Sequence, residues 1–297
     1  MRISDTLTPE DYQVIKELLG EISNISDISV EQIWKLMDEV WDDIGCNNDG
    51  DFDHDKIATF YKHPIWLLNG LFTEHDKDSL QHRHAIANWI VQESNNANKK
   101  ILDFGGGYGT LARIITESSN SLKVDIYEPY PSNYALSRCG AYSSVNFVTD
   151  IYEKYDYIVS LDVLEHVPDP LVIFGRMIDS ANLGGYLIIA NCFYPVMKCH
   201  LSSTYHFRYS FDQFAEAMGL KLMGSCKGSH ANIYKKISER NINWSIVRGM
   251  EFKSRNLFKL IEIKKHTVSL LRNSLKKLMT DPAGLLYSLF LKVKGNT

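Results

Sequence analysis

The chain has 297 residues, of which 44% are hydrophobic and 23% charged, and its formal net charge is −4. This length suits one large domain with appendages or two modest domains, and the composition is ordinary for a globular protein. Five scattered cysteines form no C-x-x-C pair, which argues against a disulfide framework or a zinc site. No apolar run approaches the ~20 residues of a membrane-spanning helix, and no apolar leader is readable, so we expect a cytoplasmic protein.

Positive charge is concentrated towards the C-terminal end of the chain. Residues 235–297 carry 14 Lys and Arg against 4 Asp and Glu, whereas residues 1–234 carry 18 against 32. A basic tail on an acidic body bears on what the chain contacts rather than on how it folds. Aromatic residues are not interleaved with these basic side chains, so we predict no nucleic-acid partner.

Residues 1–80 are predicted to form a helical N-terminal cap. In TPEDYQVIKELLGEI, Thr8 is placed as an N-cap, with Pro9 following and Asp11 in the first turn. Apolar helical spacing continues through VEQIWKLMDEVW. The run FYKHPIWLLNGLF is unusually aromatic for a surface helix. It is predicted either to cover a ligand as a lid, with Tyr61 as a candidate substrate contact, or to pack as ordinary core.

No metal site is predicted. The acidic run NNDGDFDHD resembles a calcium loop, but position twelve of such a loop would be Lys56, where an acid is required. His82 and His84 are two residues apart on a predicted helix, so they cannot share a face as a ligand pair.

Residues 81–238 alternate strand-like and helical segments. The β-type runs, in chain order, are KKILDF, LKVDIYE, VNFVTD, YDYIVSLDV, GGYLIIAN, LKLMGSC and ANIYKKIS. Helical runs separate most of them, and the last, SFDQFAEAMGL, is predicted to open with a capping box of Ser210 and Gln213. This alternation predicts an α/β protein whose mostly parallel sheet is covered on both faces.

The segment after the first predicted strand carries a ligand-binding signal. Gly105, Gly107 and Gly109 let the backbone approach a ligand, and the helix that follows presents N–H groups to an anion. The dinucleotide fingerprint G-x-G-x-x-G would need glycine where this chain has Thr110. Asp103, just before the glycines, suits an amine. A ligand end with an ammonium and a carboxylate satisfies both, and S-adenosylmethionine (SAM) has such an end and no phosphate.

Carboxylates also end the next two predicted strands. Glu128 ends LKVDIYE, where an acid can accept hydrogen bonds from two ribose hydroxyls. Asp150 ends VNFVTD, where a carboxylate can meet the adenine amino group. Because parallel strands end at one edge of a sheet, these positions together predict a single SAM crevice.

With these motifs, the segment from Arg83 to Ser238 resembles the class I SAM-dependent methyltransferases. It is most similar to the subgroup of ubiquinone-pathway O-methyltransferases and related small-molecule enzymes. The stretch LDVLEHVPDP after the fourth strand carries the resemblance further, whereas GGG stands where many members have GCG. The resemblance implies a Rossmann-like seven-stranded sheet with an antiparallel last strand, and methyl transfer to a small-molecule acceptor. It does not cover residues 1–70 or the tail.

The resemblance also implies which residues hold SAM. Arg83, in the helix before the first strand, is implied to hold the SAM carboxylate, and Leu161 and Asp162 to lie near the cofactor. From the methionine end to the adenine end, the other implied positions are Asp103, Gly105, Gly107, Tyr108, Gly109, Glu128, Asp150 and Ile151.

Three histidines are candidate general bases for a hydroxyl acceptor, because imidazole titrates near neutrality. His166 follows the fourth strand, and His200 and His206 lie in CHLSSTYHFRYSF after the fifth. Read as extended chain, this segment places His206 and Arg208 on one face, where they would suit an anionic metabolite or glycan precursor. For His166 a structural role is favoured, because the run EHV is common across family members with different acceptors. His200 and His206 can equally be structural, and a nitrogen acceptor needs no base.

Residues 239–297 are predicted to form a basic amphipathic helical tail. Asp281 and Pro282 are predicted to end its helix, and GLLYSLFLKVK to form a short second one. The first helix can dock on its own domain, associate with a second copy, or contact an anionic membrane surface through residues 250–297. Its apolar positions follow a 4-3 spacing that lysine breaks once: Leu257, Ile261, Lys264, Val268, Leu271, Leu275 and Leu278.

Two other classes of function stay open at this point. One is a non-catalytic relative that binds SAM, or nothing, and acts as a scaffold through its tail. The other is an NAD-linked reductase on a similar sheet. Such a reductase would need a Tyr-x-x-x-Lys pair after the fourth or fifth strand, and our sequence reading assigns none there.

Overall fold

The structure, a computed structural model, describes residues 7–20, 27–48, 52–95 and 97–280. The chain divides into two compact units, Met1–Val247 and Arg248–Thr297. Within the described ranges, no helix is both long enough and apolar enough to cross a lipid bilayer.

Helices occupy the N-terminal part and then alternate with strands. Thr8 caps the first helix by accepting a hydrogen bond from the Asp11 N–H, as predicted, and Ser29 closes a capping box on the second. The helices are α1 Pro9–Leu19, α2 Val30–Ile44, α3 His54–Lys62, α4 Ile65–His75, α5 Lys77–Ser94, α6 Thr110–Ser118, α7 Asn133–Cys139, α8 Pro170–Ser180, α9 Phe211–Ala217 and α10 Trp244–Thr280.

Seven strands form one mixed sheet, which confirms the predicted fold class. In chain order they are β1 Lys99–Phe104, β2 Leu122–Tyr127, β3 Val145–Val148, β4 Tyr155–Leu161, β5 Ala181–Ala190, β6 Leu220–Ser225 and β7 Asn232–Lys236. Their order in the sheet is β3-β2-β1-β4-β5-β7-β6, and β7 is antiparallel to both of its neighbours. The strand order reverses direction between β1 and β4, where open α/β sheets bind their ligands.

Both faces of the sheet are covered. On one face, Ile86 and Ile90 of α5 and Leu111 of α6 pack with strand residues in one buried cluster. On the other, Phe174 of α8 and Phe211 of α9 contact the ring of Tyr234 on β7. The strands are therefore buried on two sides, which is why they read as nearly continuous apolar runs.

The first four helices form a second core of their own. Ile33, Trp41, Phe60 and Leu68 are buried in it, and Trp41 and Phe60 meet edge to face at 5.0 Å. Tyr134 of α7 also belongs to this cluster, so the cap packs directly against the sheet unit.

Two sequence-based expectations about local structure are wrong. The segment Ser202–Tyr209 is a 3₁₀ helix rather than extended chain. Ser210 does not form the predicted capping box, because its hydroxyl donates to the carbonyl oxygen of His206 and no side chain caps α9. The predicted helix GLLYSLFLKVK lies outside the described residues, as does the turn at Asp281 and Pro282.

Candidate functional site

A cavity of about 1530 Å³ opens at the carboxyl edge of the sheet, beneath the cap. Its floor includes the loop after β1 and the ends of β2 and β4, and its roof includes α3 and α4 residues such as Tyr61, Trp66 and Gly70. It therefore lies at the reversal of strand order.

The glycine loop needs glycine for steric reasons. Gly105 has φ 72°, and a Cβ there would lie 2.5 Å from Cγ2 of Val163. A Cβ on Gly106 would lie 2.6 Å from the Asp103 carboxyl carbon. Gly107, at φ 52°, has open space where a Cβ would be, which leaves its backbone bare towards the cavity that it lines.

Gly109 has a structural role in this loop. It is the N-cap of α6 at φ 67°, and a Cβ there would lie 2.4 Å from Sγ of Cys139. Tyr108, beside it, lines the cavity and packs against Gly70 of α4, where a Cβ would lie only 2.2 Å from the tyrosine ring. The cap and the loop are thus in direct contact.

Glu128 lies directly after β2 and faces the same cavity. Its two carboxylate oxygens accept the N–H groups of Gly107 and Tyr130, each at 3.2 Å. Burial raises the pKa of Glu128, and these two hydrogen bonds oppose the rise. The carboxylate is therefore held in place beside the glycine loop.

Asp103 and Arg83 make the adjoining charged corner. Asp103 is 3% exposed, and its Oδ2 has no hydrogen-bond partner among the described residues. Burial raises the pKa of Asp103 to about 7, with Arg83 lowering it and Glu128 raising it further. Burial lowers the pKa of Arg83, whose Nη1 donates to the Ser79 carbonyl at 3.1 Å. An unpartnered buried carboxylate beside a guanidinium suits a zwitterionic ligand.

The structure brings most of the sequence-predicted site residues to this one cavity. Those that line it are Tyr61, Arg83, Asp103, Gly105, Gly107, Tyr108, Glu128, Leu161, Asp162, His166 and His200. Asp150 and Ile151 are not among the lining residues. Asp150 is instead half-exposed and pairs with Arg176 at 3.5 Å.

The placement of His206 and Arg208 differs from the sequence-based prediction. Neither lines the cavity, because the 3₁₀ helix turns both away from the face that an extended chain would have given them. His206 is 5% exposed, and its ring packs 4.0 Å from that of Phe207. The Arg208 guanidinium stacks over the ring of Tyr194 at 3.4 Å.

His166 and His200 lie side by side in the wall of the cavity, with ring centroids 4.8 Å apart. Nδ1 of His166 is 3.1 Å from the carbonyl oxygen of Cys199, and Nδ1 of His200 is 2.7 Å from that of Tyr194. Burial, followed by the charge of His200, lowers the pKa of His166 to about 3. Burial also lowers the pKa of His200, so both rings are neutral at pH 7, and the much weaker basicity of His166 leaves His200 as the better proton acceptor of the two.

Glu165 lies behind this histidine pair, a residue that the sequence analysis did not single out. It is fully buried, and its Oε1 accepts the Cys192 N–H at 2.8 Å. Burial raises its pKa well above the ordinary range. Glu165, His166 and His200 each offer one ligand atom within 4.8 Å of the others, the one such metal-compatible group in the described part of the chain. The sequence-based prediction that this protein has no metal site is not tested by this geometry.

An aromatic wall, formed by Tyr61, Trp66 and Tyr130, faces the histidines. The rings of Tyr61 and Trp66 stack at 5.0 Å, and those of Tyr61 and Tyr130 lie parallel at 6.1 Å. Lys62 lies 5.6 Å over the Tyr130 ring and also lines the cavity. The aromatic density of FYKHPIWLLNGLF was the sequence signal for this wall; Tyr130 gave none.

The segment after β5 contains a Tyr-x-x-x-Lys spacing that the sequence reading overlooked, Tyr194 and Lys198. Lys198 does not line the cavity, and its Nζ pairs with Asp42 of α2. Tyr194 is 43% exposed under the Arg208 guanidinium. Because Lys198 pairs with Asp42 outside the cavity, Tyr194 and Lys198 do not form the catalytic pair of a reductase.

The family of this chain follows from a comparison with known protein families. A family model described as a methyltransferase domain matches residues 78–234, more than half of the chain. The chain belongs to this methyltransferase family.

Individual relatives are distant. A ubiquinone biosynthesis O-methyltransferase from Pseudomonas fluorescens (strain SBW25) is 27% identical over 150 residues, which cover 46% of this chain and 62% of the relative. One from Pseudomonas syringae pv. tomato is 30% identical over 130 residues, covering 40% and 54%. This chain thus spans less than two thirds of the length of these relatives. Human N-acetylserotonin methyltransferase, solved with SAM, is 13% identical at TM-score 0.48, covering 69% and 66% of the two chains.

Proposed function

We propose that this chain is a SAM-dependent methyltransferase that acts on a hydroxyl oxygen of a small molecule. The observation that supports it is the convergence of Arg83, Asp103, Gly107 and Glu128 on one cavity at the reversal of strand order. The chain's membership of the methyltransferase family supports the same reaction class.

In this proposal the glycine loop and its neighbours would hold SAM. The Glu128 carboxylate would accept hydrogen bonds from the ribose hydroxyls, Asp103 would accept one from the ammonium of the methionine end, and Arg83 would pair with its carboxylate. Val172 and Ile173, which line the cavity at the start of α8, replace Asp150 and Ile151 as the contacts of the adenine ring. Residues 81–238 would then be the catalytic core, and residues 1–80 a lid over it.

The acceptor is proposed to lie between the aromatic wall and the histidine pair. Stacked rings at Tyr61 and Trp66 favour a planar apolar body, and Lys62 offers a cation for an acidic substituent. We therefore still propose an anionic acceptor, but Lys62 replaces Arg208 as the cation that binds it. A glycan precursor is less favoured, because sugar hydroxyls need more polar partners than this wall supplies.

SAM supplies a methyl group already activated by a sulfonium, so the protein's part is alignment and proton removal. We assign the base to His200. His200 would accept the acceptor's hydroxyl proton while that oxygen takes the methyl group, and S-adenosylhomocysteine would be the other product. His166, at 4.8 Å, holds the His200 ring edge to face. A general base contributes roughly 10²–10⁴-fold.

Calorimetry of the full chain with SAM, S-adenosylhomocysteine and NAD tests the cofactor. We expect binding of the first two and none of NAD; the reverse order of affinity would overturn the proposal in favour of a reductase. Incubation with labelled SAM and fractionated cell extract, followed by mass spectrometry, then identifies the product. Tight SAM binding without a labelled product in any fraction would favour the scaffold alternative.

We also propose that the α10 segment 252–265 contacts an anionic lipid surface. Phe252, Leu260 and Ile263 are 64–70% exposed, and Lys253 and Lys259 are exposed beside them. A helix that exposes apolar and basic side chains together fits an acidic bilayer interface. Co-sedimentation with phosphatidylserine vesicles should retain the full chain, and Leu260→Asp with Ile263→Asp should release it. Equal binding to phosphatidylcholine, or dimers in place of vesicle binding, would contradict the assignment.

A further inference from the structure

Two histidines outside the predicted binding motifs lie at the charged corner of the cavity. His82 is on α5, and His230 is in the loop between β6 and β7. Their Nδ1 atoms are 3.3 Å apart, and Nε2 of His230 lies 3.1 Å from Oδ1 of Asp162. Both rings line the cavity beside Arg83. Three separate elements thus converge on a short line of hydrogen-bonding groups.

The protons along this line can be assigned from chemistry. A carboxylate only accepts, so His230 donates Nε2–H to Asp162. That hydrogen bond is the main cause that raises the pKa of His230, which favours its doubly protonated form. His230 then donates Nδ1–H to Nδ1 of His82. Since that nitrogen of His82 accepts, the proton of the neutral His82 ring must be on Nε2.

The Nε2–H of His82 therefore has no acceptor among the side chains and backbone groups of the described residues. Within the described ranges, no hydrogen bond involves this nitrogen. His82 contacts His230, whose raised pKa favours a positive charge, and it lies next in sequence to Arg83, which lines the same cavity. Such a donor suits an anion.

Asp162, at the far end of this line, has an unusual backbone. Its φ is 53°, one of two positive values among the non-glycine residues that the structure describes, and its N–H donates to the Ala190 carbonyl at 2.9 Å. Positive φ costs a non-glycine residue energy, and such residues concentrate at functional sites. The turn keeps the carboxylate against His230.

We propose that His82 and His230 form a subsite for the carboxylate of the amino-acid half of SAM, acting together with Arg83. The inference rests on the proposed function. His82 donates Nε2–H to the carboxylate, and His230 is a positioning residue that fixes the His82 tautomer and adds positive charge. The ammonium of the same ligand faces the acidic side of the corner, at Asp103.

The test compares two nucleosides on the full chain by calorimetry. S-adenosylhomocysteine has the amino-acid end, and 5′-methylthioadenosine lacks it. His82→Ala and His230→Ala should each weaken S-adenosylhomocysteine roughly tenfold or more, as expected for a lost bond to a charged group, and leave methylthioadenosine within about twofold. His82→Gln, which keeps an N–H donor, should recover part of the loss. His84→Ala, exposed on the same helix, is the matched control.

A pH profile separates the positioning role of His230 from a purely structural one. As pH rises through the raised pKa of His230, that ring loses its proton and Nε2 of His82 can become an acceptor, which weakens S-adenosylhomocysteine relative to methylthioadenosine. Deprotonation of Asp103 acts in the opposite sense, so the affinity ratio should fall more, or rise less, with pH in the unmodified chain than in His230→Gln, in which only Asp103 titrates. The other titratable and charged groups at this corner are Asp76, Arg83, Asp103, Asp162 and His166.

The outcomes distinguish this inference from the proposed function. If the unmodified chain binds neither nucleoside, the proposed function fails. If it binds S-adenosylhomocysteine and both alanine variants keep that affinity, the subsite is wrong while the proposed function stands. Equal losses for both nucleosides would also overturn the subsite, because they would show a general disturbance of the cavity.

Discussion

Removing the carboxylate of Glu74 should destabilise the protein strongly. Glu74, near the end of α4, forms a buried ion pair with Arg113 of α6 and so joins the cap to the core. The two side chains are 5% and 9% exposed, respectively. Tyr134 donates its hydroxyl to the same carboxylate at 3.1 Å. Glu74→Ala would leave the guanidinium buried without its counter-charge, which costs about 3–5 kcal/mol. We expect the free energy of unfolding to fall by that amount.

Urea unfolding followed by far-ultraviolet circular dichroism measures this change. Glu39→Ala is the matched control, because the Lys35–Glu39 pair is 79% and 54% exposed at 3.6 Å and should contribute less than about 1 kcal/mol. Adding Arg113→Leu to Glu74→Ala should recover stability, since it removes the uncompensated charge. A loss in Glu74→Ala no larger than that in Glu39→Ala would refute the buried ion pair as the link between cap and core.

Further predictions concern catalysis and the contact between the cap and the glycine loop. His200→Ala should lower turnover roughly 10²–10⁴-fold with SAM affinity unchanged, whereas His206→Ala should preserve turnover; equal effects would remove His200 from the mechanism. Burial lowers the pKa of His200 below its ordinary 6.5, so turnover should stay constant as pH falls to 6.5 and should decline only at lower pH. A decline that begins above pH 6.5 would contradict a neutral His200 base. Dialysis against a chelator should leave turnover unchanged because the proposed mechanism uses no metal, and loss restored by zinc would show that Glu165, His166 and His200 hold a metal instead. Gly70→Ala should displace the Tyr108 ring and weaken SAM binding, and unchanged affinity would show that this contact is dispensable.

The architecture could be predicted from the sequence because strands buried on both faces leave a strong local pattern. KKILDF matches β1 to the residue, Lys99–Phe104, and the glycine loop after it marks the floor of the cavity. The acid at Glu128 could be placed because parallel strands all end at one edge. Because strands and helices alternate regularly, the end of each strand can be located from the sequence.

The histidine-containing part of the site could not be predicted in the same way, because irregular segments have no periodic pattern of apolar residues. His206 and Arg208 were assigned to a shared face on the assumption of extended chain, and a 3₁₀ helix overturns that assignment. The pairing of His82 with His230 joins residues 148 positions apart, and neither has a local pattern that announces the other. Burial of Glu165 behind His166 is likewise a tertiary fact.

The structure of the complex with S-adenosylhomocysteine tests the central claim most directly. The account predicts the ribose hydroxyls on the Glu128 carboxylate and the amino-acid end in the corner between Asp103 and Arg83. A complex in which the nucleoside lies outside this cavity, with those three side chains free of it, would contradict the account.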